Sequence, residues 1–123
     1  MSNPTKKRIL VIISQSPFCG NTGREALDAT LAAAIFDQHV SVLFCGNGCW
    51  HGLRTNKANP VTGKSTSDSW LAAPLYDIEG LYVSSETLAG KGLDTEQLID
   101  NIQVIDDQQA KQLLADHDLI MSF

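Results

Sequence analysis

The cysteines Cys19, Cys45 and Cys49 are the side chains of this sequence with the most reactive chemistry. Cys19 lies just before a predicted helix, where the positive end of the helix dipole lowers the pKa of a thiol and favours the thiolate. Cys49 is predicted to lie in a loop near the same edge of the fold. Cys19 and Cys49 are therefore candidate sulfur-handling thiols that could accept or pass on a persulfide. Cys45 is predicted to be a small buried hydrophobe.

The spacing of Cys45, Cys49 and His51 argues against a metal site. Tetrahedral zinc sites use tighter pairs such as C-x2-C, whereas Cys45 and Cys49 are separated by Gly-Asn-Gly. We therefore expect no metal ion.

A flavodoxin-like, flavin-binding module remains an alternative. Polar residues between the first predicted strand and helix, beginning at Ser14 and ending at Thr22, could cradle an anion at a helix N-terminus. Trp50 and Tyr82 could then stack on a flavin. However, Ser, Asn and Thr are also ordinary turn and cap residues.

Hydrophobic patterning predicts the elements that would position these residues. The apolar run at 9–13 is typical of a strand buried on both faces, and a helix over 23–36 and a strand over 40–44 complete a βαβ unit. Strands are also predicted at 80–83, 102–105 and 118–123, and residues 54–69 are predicted to be a long polar loop. The chain is thus predicted to be a single domain over residues 1–123. Its expected fold is α/β, a three-layer sandwich with a mainly parallel sheet of about five strands.

In such sheets, binding sites cluster beyond the carboxyl ends of the strands. The segments 14–21, 46–53 and 84 onward are therefore predicted to meet at one edge.

The predicted helix over 23–36 is apolar most of the way round. A helix of that kind is buried on more than one side, and in a short chain the second side can meet another subunit. The predicted subunit interface consists of Ala26, Leu27, Ala29, Leu31, Ala33 and Phe36. The alternative is that the alanines are simply good helix formers.

Composition narrows the classes of function. The formal net charge of −5 argues against direct, phosphate-driven binding of nucleic acid. The sequence lacks an apolar stretch of ~20 residues that could span a membrane, and its N-terminus is polar rather than typical of a signal peptide. We therefore expect a cytoplasmic protein with reduced thiols.

Four segments resemble the DsrE/DsrF-like family over nearly the whole chain and in the same order. They are Gly-Arg-Glu-Ala-Leu-Asp-Ala at 23–29, Val-Leu-Phe-Cys-Gly-Asn-Gly at 42–48, Leu-Tyr-Asp-Ile-Glu at 75–79 and Asp-His-Asp-Leu-Ile-Met-Ser-Phe at 116–123. The resemblance implies a subunit of a cytosolic sulfur-relay complex, assembled with homologous TusB-like and TusD-like subunits and contacted by a TusE-like acceptor. In that relay the sulfur ends in the 2-thio group of the wobble uridine in tRNA. This chain would therefore act on tRNA only indirectly, through the complex. No membrane and no cofactor are implied.

The resemblance also implies where the reactive sulfur lies. The persulfide-carrying cysteine of this family belongs to the TusD/DsrE-type subunit, at the end of the strand that here reads Leu-Tyr-Val at 81–83. Val83 stands close to that position, so this chain is expected to be a non-catalytic, structural subunit. The alternatives are a self-standing cysteine-persulfide sulfurtransferase that uses Cys19 or Cys49, and a subunit that serves sulfur oxidation, as DsrF-type relatives do.

Overall fold

The protein forms one five-stranded sheet with helices on both of its faces. The computed structural model describes residues 7–16, 22–35, 39–53, 70, 73–76 and 78–123. The strands are β1 (Arg8–Ile13), β2 (His39–Phe44), β3 (Gly80–Ser84), β4 (Ile102–Ile105) and β5 (Leu119–Ser122). Their order is β4-β3-β2-β1-β5, and all neighbouring pairs are parallel. The prediction of a mainly parallel sheet of about five strands is therefore confirmed.

The helices divide between the two faces of the sheet. The α-helices are α1 (Thr22–Ile35), α2 (Ser85–Lys91) and α3 (Asp107–Ala115), and the 3₁₀ helices are Gly46–Gly52, Ala73–Tyr76 and Thr95–Gln97. Side chains of α1 and α2 pack into one core cluster, and side chains of α3 pack into the other. This arrangement is the predicted three-layer sandwich.

The unbroken apolar run of β1 follows from this layering, because successive side chains of a strand point to opposite faces. Val11 and Ile13 join the core cluster beneath α1, whereas Leu10 is fully buried in the cluster beneath α3. A strand that is covered on both faces has no solvent-facing position at which a polar side chain would be favoured.

Local sequence signals fix several helix ends. Asp106 and Gln109 have the spacing of a capping box and form the reciprocal cap of α3: Gln109 N donates to Asp106 Oδ1 at 2.7 Å, and Asp106 N donates to Gln109 Oε1 at 2.9 Å. Gly92 ends α2 with a left-handed φ of 66°. Strand β2 begins at His39, one residue before the start predicted from the sequence.

Helix α1 presents one broad apolar stripe to the core of its own chain. Ala26 and Leu27 are 0% and 7% exposed, and the buried Thr30 satisfies its hydroxyl by donating to the carbonyl of Ala26 at 2.7 Å. Leu31 and Ala33 are half-buried against the same cluster. Ala26 and Leu27 therefore leave no free surface for another subunit.

The predicted interface residue Phe36 and the predicted loop over 54–69 lie outside the described residues. None of the helices that are described has both the length and the apolar character needed to cross a membrane.

Candidate functional site

The carboxyl edge of the sheet is built around the 3₁₀ helix Gly46–Gly52, which follows β2 directly. The amide of Cys45 donates to the carbonyl of Ile13 at 2.9 Å, and His51 Nε2 donates to the carbonyl of Gln15 at 3.0 Å. Both bonds tie this helix to the end of β1. The predicted meeting of residues 14–16 with residues 46–53 is thus confirmed, and residues 17–21 lie outside the described part of the chain.

The same 3₁₀ helix is held to α2 on its other side. Lys91 Nζ donates to Asn47 Oδ1 at 2.6 Å, and the amide of Gly46 donates to Thr87 Oγ1 at 3.4 Å. The segment that follows β3 therefore joins the edge, as predicted.

His51 is the buried polar centre of this edge, with 0% of its surface exposed. Its ring stacks on Phe44 with centroids 5.9 Å apart, and Trp70 meets Phe44 edge-on at 5.3 Å. Desolvation by burial lowers the pKa of His51 to about 4, although the bond to Gln15 partly opposes that shift. The ring is therefore neutral near pH 7 and carries its proton on Nε2, where it links two segments of chain.

The described thiols are poorly suited to nucleophilic chemistry. Cys49 lies in the 3₁₀ helix, rather than in a loop as predicted, and is 1% exposed. Burial raises the pKa of its thiol, and the charge of Lys91 and a backbone hydrogen bond offset only part of that rise. Burial also raises the pKa of Cys45, which is half-buried. Both thiols are therefore protonated at neutral pH.

Cys19, the other candidate sulfur-handling thiol, lies outside the described residues. Across the residues that are described, no three His, Cys, Asp or Glu side chains are grouped so that they could hold a metal ion.

The positions of Trp50 and Tyr82 argue against the flavin-binding alternative. Trp50 packs against the core cluster beneath α1, and Tyr82 packs against the cluster beneath α3. These clusters lie on opposite faces of the sheet, so the two rings cannot stack on one flavin. In addition, Ser14 is the first residue of the possible anion cradle, but its amide and hydroxyl both donate to the carbonyl of Phe123, at 2.8 and 3.1 Å. These two donors therefore hold the end of β5.

The end of β3 carries no thiol. Val83 is 1% exposed and pairs with Phe44 and Val104 in the centre of the sheet. Ser84 and Ser85 follow and lead into α2. Neither valine nor serine offers a sulfur atom on which a persulfide could form.

Sequence reasoning missed the buried cluster of His51, Phe44 and Trp70. The only local signal is the apolar setting of His51 between Trp50 and Leu53. Trp70 joins the cluster from a distant part of the chain, which no local pattern indicates.

Structural comparison shows that the fold has solved counterparts. The ychN protein from E. coli superposes with a TM-score of 0.80 over 97% of this chain and 100% of that one, at 16% sequence identity. A protein of unknown function from Methanobacterium thermoautotrophicum superposes with a TM-score of 0.65 over 94% of this chain and 99% of that one, at 13% identity. At such identities the likeness concerns the fold alone.

Sequence comparison finds nearer relatives. A protein named TusC homologue from Pseudomonas aeruginosa is 33% identical over 93% of this chain and 96% of its own length. A protein of the same name from Vibrio vulnificus is 29% identical over 94% of this chain and 98% of its own length. The sequence model of the DsrE/DsrF-like family matches residues 7–123. With its fold and nearly its whole length matched in this way, the chain belongs to the DsrE/DsrF-like family.

Proposed function

We propose that this chain is a non-catalytic subunit of a cytosolic sulfur-relay complex that supports 2-thiolation of the wobble uridine in tRNA. Family membership and the relatives named TusC homologue support the relay role. The observation that carries the non-catalytic role is that the end of β3 holds the buried Val83 followed by Ser84, neither of which has a sulfur atom. The family resemblance assigns the persulfide cysteine to this strand end.

The chemistry of the described thiols agrees with this proposal. Persulfide transfer requires a thiolate that can reach its partner. The raised pKa of Cys49 and the 1% exposure of this residue oppose both requirements. In the proposed complex, a TusD-like subunit carries the sulfur, a TusB-like subunit completes the assembly, and a TusE-like acceptor contacts it.

Removing the thiols of this chain should leave tRNA thiolation within about twofold of the parent level, a change of less than roughly 0.5 kcal/mol in any relay step. The variants are Cys19→Ser, Cys45→Ala and Cys49→Ala; alanine suits the two residues that are buried or half-buried. Thiolated tRNA is measured by mercury-gel mobility after reconstitution with the partner subunits. As a control, the cysteine of the TusD-like subunit is replaced, which should abolish thiolation. Loss of thiolation in a variant of this chain that still assembles would instead favour the alternative, a sulfurtransferase that uses a cysteine of this chain.

We further propose that a homologous subunit docks on an apolar surface at α1, here termed the α1 patch and defined as Ala32, Ile35, Leu75 and Tyr76. The exposed fractions of Ile35, Leu75 and Tyr76 are 75%, 84% and 50%. The 3₁₀ helix that carries Leu75 and Tyr76 packs against α1, so it extends the apolar surface of the helix. The half-buried Ala29, Leu31 and Ala33 would then contribute only at the margin of the interface.

The double variant Ile35→Asp/Leu75→Asp should weaken assembly with the partner subunits at least about 100-fold, because unpaired carboxylates would be buried in an apolar contact. Co-purification and analytical ultracentrifugation measure the assembly. Both positions are highly exposed in the isolated chain, so its circular dichroism should not change. Leu114→Asp is the matched control, since Leu114 is an exposed leucine on α3. A double variant that assembles like the parent would exclude the α1 patch as the docking surface. The proposed relay role would remain, because it does not depend on which surface docks.

A further inference from the structure

A cleft of about 210 Å³ lies between α3 and the β3–β4 side of the sheet, on the face opposite α1. Its apolar part comprises Ile105, Leu113 and the ring of Tyr82. The Tyr82 ring lies across Gly80, and its hydroxyl oxygen is 2.6 Å from where a Cβ of residue 80 would stand. The volume is below the ~300 Å³ at which sites for drug-sized ligands begin. A ligand with one short chain would therefore suit this cleft.

The polar part of the cleft consists mainly of glutamine amides and a carboxylate. Gln109 uses Oε1 in the cap of α3, where it accepts from the amide of Asp106 at 2.9 Å. Gln112 Nε2 donates to Asp116 Oδ1 at 2.9 Å and so holds the carboxylate in place. Gln112 Oε1 and Asp116 Oδ2 take part in none of the hydrogen bonds found among the described residues, so they remain as acceptors. Gln103 adds a further side-chain amide to the lining.

The charge of the cleft is negative. Asp116 is the C-cap residue of α3, whose last turn has no basic residue. The helix dipole places its negative end at this point, so the field of the helix adds to the charge of the carboxylate. No lysine, arginine or histidine is found in the described lining. Phosphate and carboxylate groups are therefore disfavoured in this cleft, whereas a cation is favoured.

We propose that this cleft binds a small organic cation, an alkylammonium or alkylguanidinium whose head pairs with Asp116 beside the Tyr82 ring and whose stem lies against Leu113. A guanidinium fits the carboxylate with paired N–H donors, and its remaining donors can reach Gln112 Oε1. The aromatic ring adds a cation–π contact. Both a free amine and the arginine or lysine side chain of a partner protein supply this chemistry.

The test uses the full chain and n-butylguanidinium at low salt, followed by backbone amide NMR shifts. Saturable shifts are expected in β4 and α3, with a dissociation constant of about 1 mM for a ligand of this size. Asp116→Asn should weaken binding at least about tenfold because it removes the charge but keeps an oxygen that can accept from Gln112. Tyr82→Leu should weaken it about threefold to tenfold.

Glu86→Gln is the matched control, because it removes one negative charge from α2 on the other side of the sheet and should leave the dissociation constant unchanged. Butyrate, which has a similar stem and the opposite charge, should cause no shifts. N-acetyl-arginine amide separates the two sources of the cation: tighter binding than n-butylguanidinium indicates a protein side chain, and weaker binding indicates a free amine. The proposal is overturned if neither cation gives saturable shifts, if butyrate binds equally, or if Asp116→Asn binds like the parent.

Discussion

Gly48→Ala is expected to lower the free energy of unfolding by at least about 3 kcal/mol, or to prevent stable folding altogether. A Cβ at residue 48 would stand 1.9 Å from the carbonyl oxygen of Ile13 and 2.7 Å from its carbonyl carbon. These are backbone atoms at the end of a central strand, so no change of rotamer relieves the clash. The amide of Cys45 also donates to that carbonyl oxygen, at 2.9 Å. Moving the 3₁₀ helix away would therefore break the bond that joins it to β1.

Urea unfolding followed by circular dichroism measures this effect. Gly90→Ala is the matched control, because a Cβ at residue 90 meets no atom within 4 Å. Gly90 lies inside α2, where alanine should raise the stability by about 0.5–1 kcal/mol. If the free energy of unfolding of Gly48→Ala lies within about 1 kcal/mol of the parent value, the close approach of the 3₁₀ helix to β1 is disproved.

The stability of the protein is expected to fall by about 3 kcal/mol between pH 6.5 and pH 4 through His51 alone. In the folded chain burial lowers the pKa of His51 to about 4 from an ordinary value of 6.5. The unfolded chain therefore binds more protons than the folded chain within this window. The stabilisation is fully present above pH 6.5 and is lost as the pH falls towards the folded pKa.

A series of urea unfolding curves from pH 4 to 7 measures this dependence. In His51→Phe, the loss of free energy of unfolding between pH 6.5 and pH 4 should be smaller than in the parent by about 3 kcal/mol. This difference is expected whatever effect the substitution has on absolute stability. His39→Gln is the control, since His39 is half-exposed and pairs with Glu79 at 3.0 Å near the amino ends of the strands. An equally steep dependence in His51→Phe and the parent would show that another group is responsible.

The sheet was predictable because its signals are local. The apolar run of β1 predicts a strand covered on both faces, and the spacing of Asp106 and Gln109 predicts the start of α3; both are found in the structure. In each case, the residues that carry the pattern also form the interaction, so the sequence and the structure agree within a residue or two. The meeting of chain segments at the carboxyl edge then follows from the parallel arrangement of the strands.

The environment of the candidate thiol Cys49 was not predictable in this way. Its burial depends on the contact of the 3₁₀ helix with β1 and on the packing of Phe44, His51 and Trp70. The contacts with β1 and with Trp70 join segments that are far apart in the sequence. Likewise, the alanine-rich pattern of α1 indicates an apolar helix, but small side chains do not reveal how wide a stripe the core will cover. The pattern therefore could not separate the buried Ala26 and Leu27 from the exposed Ala32.

The pairing of β5 with β1 has a consequence for synthesis on the ribosome. Asp118 closes this pair by accepting from the amide of Arg8, a residue 110 positions earlier in the chain. At roughly 5–20 residues per second, a nascent chain waits several seconds before β1 acquires its second neighbour. Throughout that interval the apolar edge of β1 is open to unwanted association. Translation speed and chaperone contact during those seconds should therefore govern how much of this protein reaches its native state.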